Sequence, residues 1–310
     1  MYPSQESQQP EAGWEYLPSE GKDAGRLNSA LPKPPTYLPP PVPPAGSIAE
    51  LNRPQRLWFR IPSEKPVLTL AILALLAAAF VLTLIVGGSL NASENSALLV
   101  RMGAKVNALV VEGDWWRLIT ATFLHAGYLH ILLNGYALYI IGMDLEGFFG
   151  RGRFAAIYAI SGLAGSVASF AFSPYLVPGV GASGAIFGLI GALAVYYGIN
   201  RSLFGKLGQA QFWNIIIVIL LNLGLGISGI FPIDNSAHIG GLIAGAAVGF
   251  VFCPRYRPGG WVNPLVREIV NTNKSPLTWL TAGMIALSVI LLFFITLMLY
   301  TKGYLIPPLT

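Results

Sequence analysis

Ser183 sits in Gly181-Ala182-Ser183-Gly184-Ala185, at the mouth of an apolar run that continues Ile186-Phe187-Gly188-Leu189-Ile190-Gly191. A serine hydroxyl attacks a carbonyl only when a base takes its proton and donors receive the charge developing on the carbonyl oxygen. The chain offers both kinds of partner. His238 carries an imidazole that can act as base, and His130 and Asn134 carry side chains that can donate. The same stretch would also suit close helix packing by small residues, and a chain with 35 glycines supplies many such stretches. The elements around Ser183 must decide between the two.

Composition places those elements in a bilayer. Hydrophobic residues make up 54% of the chain and charged residues 11%, against about 25% charged in a soluble domain. The hydropathy pattern predicts spanning helices over about 67–86, 128–145, 154–172, 183–198, 213–230, 236–252 and 279–300. The connection 89–126, with Trp115, Trp116 and Arg117, is long and mixed, as expected of a functional or partly embedded loop. Residues 1–45 are rich in Pro, Ser, Gln and Gly, and they cannot bury enough surface to offset ordering entropy. The expected organisation is a disordered, Pro-rich cytoplasmic tail (1–66), a six-helix core (67–253), a cytoplasmic linker (254–278) and a seventh helix with a short outer tail (279–310). Residues 33–44 should sample polyproline II and read as a spacer; any partner of the tail is unknown.

Arg53, Arg56, Arg60 and Lys65 precede the first helix. Arg151 and Arg153, Arg201 and Lys206, and Arg255, Arg257, Arg267 and Lys274 occupy alternate connections. The positive-inside rule then puts the amino terminus in the cytoplasm and the carboxyl terminus outside. This use of basic residues accounts for the net charge of +5 without nucleic acid. A prokaryotic plasma membrane fits the absence of a visible targeting signal, and eukaryotic membranes stay open.

In this topology the second, fourth and sixth helices all run inward. His130, Ser183 and His238 lie at or near their starts and so share one depth, just below the outer surface. Polar side chains at such depth are costly and point to function. His130 and Asn134 are four apart, on one helix face. Ser183 opens a helix, where free N–H groups favour negative charge. Gly184 and Gly188 on one helix, and Gly241, Gly245 and Gly249 on another, are spaced to let the two approach closely. Phe187, one turn after Ser183, is placed to pack on the His238 ring, and it suits ordinary helix packing equally well.

Together, Trp116-Arg117, His125, His130-x-x-x-Asn134, Glu146-x-x-x-Gly150, Gly181-x-Ser183-Gly184 and Ala237-His238-x-x-Gly241-x-x-x-Gly245 resemble the motif set of the rhomboid intramembrane serine proteases, over about residues 67–253. The resemblance implies an all-α polytopic membrane protein, a rhomboid-like six-helix bundle with an additional C-terminal transmembrane helix. It implies a Ser183–His238 dyad without aspartate, and an oxyanion hole from His130, Asn134 and the Ser183 backbone. His125 would support the site, Trp116 and Arg117 would stabilise the first loop, and Glu146 would tie the inner end of the second helix to its neighbours. The substrates would be transmembrane proteins cut in or near their spans, and no cofactor or metal is required.

Other chemistries fit less well. The sequence has no His-Glu-x-x-His, and His125 and His130, five apart, stand about 140° apart on a helix. Asp114, Asp144 and Asp234 fall near helix ends or loops rather than at mid-membrane. A transporter would place its polar groups near mid-bilayer. A non-proteolytic rhomboid-like scaffold would keep the fold without the reaction.

Overall fold

A computed structural model describes residues 58–60, 63–263 and 266–305. Most of the expected amino-terminal tail lies outside the described residues. The architecture is a bundle of apolar helices. α1 (Val67–Gly87) leads to a loop region holding the short helices α2 (Ser96–Met102), α3 (Asn107–Val111) and α4 (Arg117–Thr120). The long helices α5 (Tyr128–Phe149), α6 (Arg151–Phe172), α7 (Ser183–Ile199), α8 (Arg201–Ile227), α9 (Asn235–Phe252) and α10 (Leu277–Thr301) follow.

Among the described residues, five helices are by themselves long and apolar enough to cross a membrane. α5 qualifies jointly with residues 117–123, across a 91° bend. α7 is shorter, at 17 residues, or about 25 Å of helix, which is at the lower limit for a span. The chain is a multi-pass membrane protein.

α7 is the axis of the bundle. Residues 184–193 are all buried, and the helix packs against α5, α6, α8 and α9. Its glycines and alanines explain why a span can sit at the centre: small side chains let neighbouring backbones close in where lipid offers no hydrophobic drive to do so. Bulky residues, Tyr196 with Phe148, Phe149 and Phe154, pack together toward the end of α7. α8, by contrast, leaves most of its length exposed.

Two expectations need correction. The fifth span does not start at 213: α8 begins at Arg201, directly after Asn200, with non-helical backbone at Gly205 (φ 55°, ψ −136°). The polar stretch Lys206-Leu207-Gly208-Gln209-Ala210-Gln211 hid this extension, because hydropathy marks the apolar slab and not the helix. The segments read as tail and linker also contain strands. β1 (Trp58–Arg60), β2 (Tyr256–Asn263) and β3 (Val266–Asn271) form one sheet in the order β1-β3-β2. β3 pairs antiparallel with β2 and parallel with β1, Trp58 opposite Val266.

The ends of the helices are closed by polar contacts. Glu146, fully buried in α5, accepts hydrogen bonds from Leu68 N (2.8 Å), Thr69 N (2.6 Å) and Thr69 Oγ1 (2.7 Å). It thereby satisfies free N–H groups in the first turn of α1. Arg151 Nε lies 3.9 Å from the same carboxylate. At the same end Arg153 donates to Phe252 O (2.9 Å), joining the start of α6 to the end of α9. α10 runs along α6; Tyr300 Oη donates to Phe170 O (3.2 Å), and Trp115 of the loop meets Phe293 and Phe294 edge-on.

Candidate active site

The α7–α9 contact positions the candidate residues. A Cβ at Gly241 or Gly245 would fall on the backbone of Gly184 or Gly188, and one at Gly249 would lie 2.6 Å from Ala192 Cα. Only glycine permits backbones so close. The starts of the two helices, which carry Ser183 and His238, therefore lie side by side, a Cβ at Gly184 falling 3.4 Å from Ala237 O. The His238 ring stacks on Phe187, with centroids 4.0 Å apart and planes 11° from parallel. His238 is 7% exposed and Ser183 half-buried. The stack is the packing on the His238 ring that the spacing suggested for Phe187.

α5 brings the other pair. His130 Nδ1 accepts a hydrogen bond from Ala126 N (3.3 Å). In the neutral imidazole the proton therefore sits on Nε2, which is left as a donor. That nitrogen faces Gly181: a Cβ there would lie 2.8 Å from His130 Nε2 and 3.7 Å from Asn134 Nδ2. Gly181 also adopts φ 123°, so both its backbone conformation and its neighbours require glycine. Asn134 Nδ2 donates to His130 O (3.2 Å), which fixes the amide orientation. Two side-chain donors thus converge on the residue two before Ser183, beside the free N–H groups at the start of α7. His125, 1% exposed, meets the His130 ring edge-on at 5.0 Å.

The loop region braces this arrangement. Arg117 donates to Val100 O (2.6 Å), Ala104 O (3.1 Å) and Asp114 Oδ2 (2.8 Å), and lies over the Trp116 ring at 4.6 Å. One guanidinium thereby ties three parts of the loop together. Lys105 and Gly179 exchange backbone hydrogen bonds (3.0 and 2.8 Å), and Gly181 N donates to Ala121 O (2.9 Å). Both contacts hold the connection that delivers Ser183.

An apolar cavity of about 380 Å³ opens between α7, α8 and α9, lined by Gly191, Val195, Phe212, Ile219 and Leu242 among others. It contains neither Ser183 nor His238 and begins two turns further along α7.

One residue escaped the sequence reading. Asp234 caps α9, its Oδ1 accepting from Ala237 N at 3.0 Å, and its carboxylate also takes the hydroxyls of Ser169 and Ser173. The available signal was an Asp before a small-residue helix, but its side-chain partners are more than sixty positions away.

A helical bundle that buries a serine-bearing helix start against a histidine-bearing one, inside apolar spans, defines a polytopic membrane protein with a candidate hydrolytic site. Residues 112–255 match the Rhomboid domain. Over that stretch the chain is similar to the rhomboid family. It is 47% identical over 182 residues to rhomboid protease GluP of Bacillus subtilis (strain 168), covering 58% of this chain and 34% of that protein. It is 43% identical over 169 residues to RHOMBOID-like protein 5 of Arabidopsis thaliana, covering 54% and 53% of the two chains. RHOMBOID-like protein 1 of the same plant is 36% identical over 233 residues, 69% of this chain and 58% of that protein. The matched regions thus span about a third to somewhat over half of these relatives.

Proposed function

We propose that this protein is an intramembrane serine protease that cuts peptide bonds in or near the transmembrane segments of other membrane proteins. The observation that carries the reading is the convergence around the start of α7: His130 Nε2 and Asn134 Nδ2 face Gly181 on one side of Ser183, and His238 stacks on Phe187 one turn beyond it. In this reading the Ser183 hydroxyl adds to the scissile carbonyl carbon and His238 takes its proton. The oxyanion is held by His130, Asn134 and backbone N–H at Ser183. Collapse of the tetrahedral intermediate breaks the C–N bond, and His238 returns the proton to the leaving amine. A water then repeats the addition on the acyl-enzyme and frees Ser183. The match to a protein named a rhomboid protease supports the same conclusion.

The catalytic core would be 67–253, with the linker at 254–278 and the seventh helix at 279–310. Positive residues at the α6 start and α9 end put that face in the cytoplasm, so Ser183 lies toward the outside of what we read as a prokaryotic plasma membrane. Glu146, Arg117 and Trp116 act at a distance, by holding the helix ends and the loop.

A fluorophosphonate probe tests the nucleophile. The purified protein should be labelled once, at Ser183, and Ser183→Ala should not be labelled. Equal labelling of the two proteins sinks the protease reading and leaves a non-proteolytic scaffold. Asn134→Ala removes one of several oxyanion donors. Turnover of a model transmembrane substrate in proteoliposomes should fall by about 10²–10³-fold, or roughly 3–4 kcal/mol. Unchanged turnover would take Asn134 out of the hole.

A further inference from the structure

We propose that Asp234, with Ser169, Ser173 and Lys105, forms a polar clasp that sets the position of His238 relative to Ser183. Asp234 is a positioning residue and touches no reacting atom. The inference rests on the protease reading above and adds a part that the motif set does not contain.

The clasp begins at the first turn of α9. Asp234 Oδ1 accepts from Ala237 N (3.0 Å), and Asp234 O accepts from His238 N (3.1 Å). Side chain and backbone of one residue therefore hold the two amides that lead into the imidazole. An N-cap needs one oxygen only. This carboxylate uses both: Ser173 Oγ donates to Oδ1 (2.9 Å) and Ser169 Oγ to Oδ2. Those serines lie one turn apart at the end of α6 and after it, so the start of α9 is bolted to α6. Gly165, one turn further down α6, would place a Cβ 2.8 Å from Ala237 O and 3.1 Å from Gly184 Cα. α6, α7 and α9 meet closely there, and a small tilt of α9 would change the approach of His238.

The other half of the clasp belongs to Ser183. Asn107 Nδ2 donates to Phe170 O (2.9 Å) and Ser173 O (3.1 Å), and its Oδ1 accepts from Lys105 Nζ (2.9 Å). Lys105 is 2% exposed, and its backbone pairs with Gly179, just ahead of Gly181 and Ser183. Burial pushes its ammonium down to about 8, while the Asp234 carboxylate pulls it back up. A buried lysine is costly unless it is hydrogen-bonded, and the Asn107 amide oxygen supplies that bond. One connected group of polar side chains thus touches the chain leading to Ser183, the end of α6 and the turn leading to His238. Helix capping alone accounts for neither Lys105 nor the paired serines.

The test separates the clasp from the cap and from the protease reading. Asp234→Ser keeps a good N-cap but is too short to reach α6. Ser169→Ala/Ser173→Ala leaves the cap and removes the bolt. With the transmembrane substrate, at a temperature where thermal unfolding shows each variant folded, both should lose about 10–100-fold in kcat, as a misplaced general base does. KM should stay within about two-fold, since the substrate-binding surface is untouched. Fluorophosphonate labelling should slow in parallel, and Ser173→Thr, which keeps the hydroxyl, should restore the rate lost in Ser173→Ala. Lys105→Met should lower kcat in the same direction. Amide hydrogen exchange at Ala237 and His238 should speed up about ten-fold in the double serine variant. If its kcat and exchange both match the parent protein, the clasp is wrong. If the parent protein is not labelled at Ser183, the protease reading fails, while the exchange measurement still decides the clasp.

Discussion

Replacing His238 by alanine should abolish cleavage of a transmembrane substrate, lowering turnover by about four orders of magnitude or more. The expectation is large because no other group can take over. The chain has three histidines. His130 has its Nδ1 occupied by Ala126 N–H, so its free nitrogen carries a proton and donates. His125 is buried behind it, against the His130 ring. Asp234 is already engaged by Ala237 N and two hydroxyls. The substitution also removes a stacked ring from Phe187, worth about 0.5–1.5 kcal/mol beyond area burial, so the variant should melt somewhat lower but remain folded at assay temperature. Measuring turnover in proteoliposomes together with the melting midpoint separates the two effects. Retained turnover in a folded His238→Ala protein would remove the general-base assignment. The same assignment makes activity of the parent protein fall at acid pH, because a base that is already protonated cannot accept the serine proton.

The parts of this site that were legible in the sequence are those set by local rules. Ser183 at a helix start, His130 and Asn134 one turn apart, and the four-residue glycine spacing on α7 and α9 all follow from helix geometry. So does the position of Phe187 after Ser183, and the structure puts it on the His238 ring. The long apolar helices were visible because lipid imposes a length and a hydropathy on a spanning segment. What stayed hidden was non-local. β1 pairs with β3 across some two hundred residues, and nothing in Trp58-Phe59-Arg60 announces a partner at Val266. Tyr256-Arg257-Pro258-Gly259-Gly260 looks like a loop because proline and glycine are unusual in strands, and the register between β2 and β3 is indeed irregular there. Asp234 looked like an ordinary loop charge, since only the packing of α6 against α9 brings Ser169 and Ser173 to it.

Gly245→Val should be the most damaging single change outside the polar residues. The Cβ alone would overlap the backbone of Gly188, and the opposing atoms are O, Cα and C, none of which can rotate away. The α7–α9 pair must then separate. Overpacking a core usually costs about 1–3 kcal/mol, and a clash with backbone belongs at or above the upper end. Separation also carries His238, two turns up the same face of α9, away from Ser183. Labelling by the fluorophosphonate should therefore fall by more than about ten-fold, even in detergent conditions where the protein still unfolds cooperatively. Gly224 and Gly283 are the matched controls. Both lie inside apolar helices, and a Cβ at either meets nothing within 4 Å. Their alanine variants should stay within about 0.5 kcal/mol of the parent protein and label at its rate. If Gly245→Val behaves like these controls, close backbone packing is not what brings the serine and the histidine together. If it loses labelling while they keep it, the glycines beside Ser183 are packing residues because the chemistry depends on that packing.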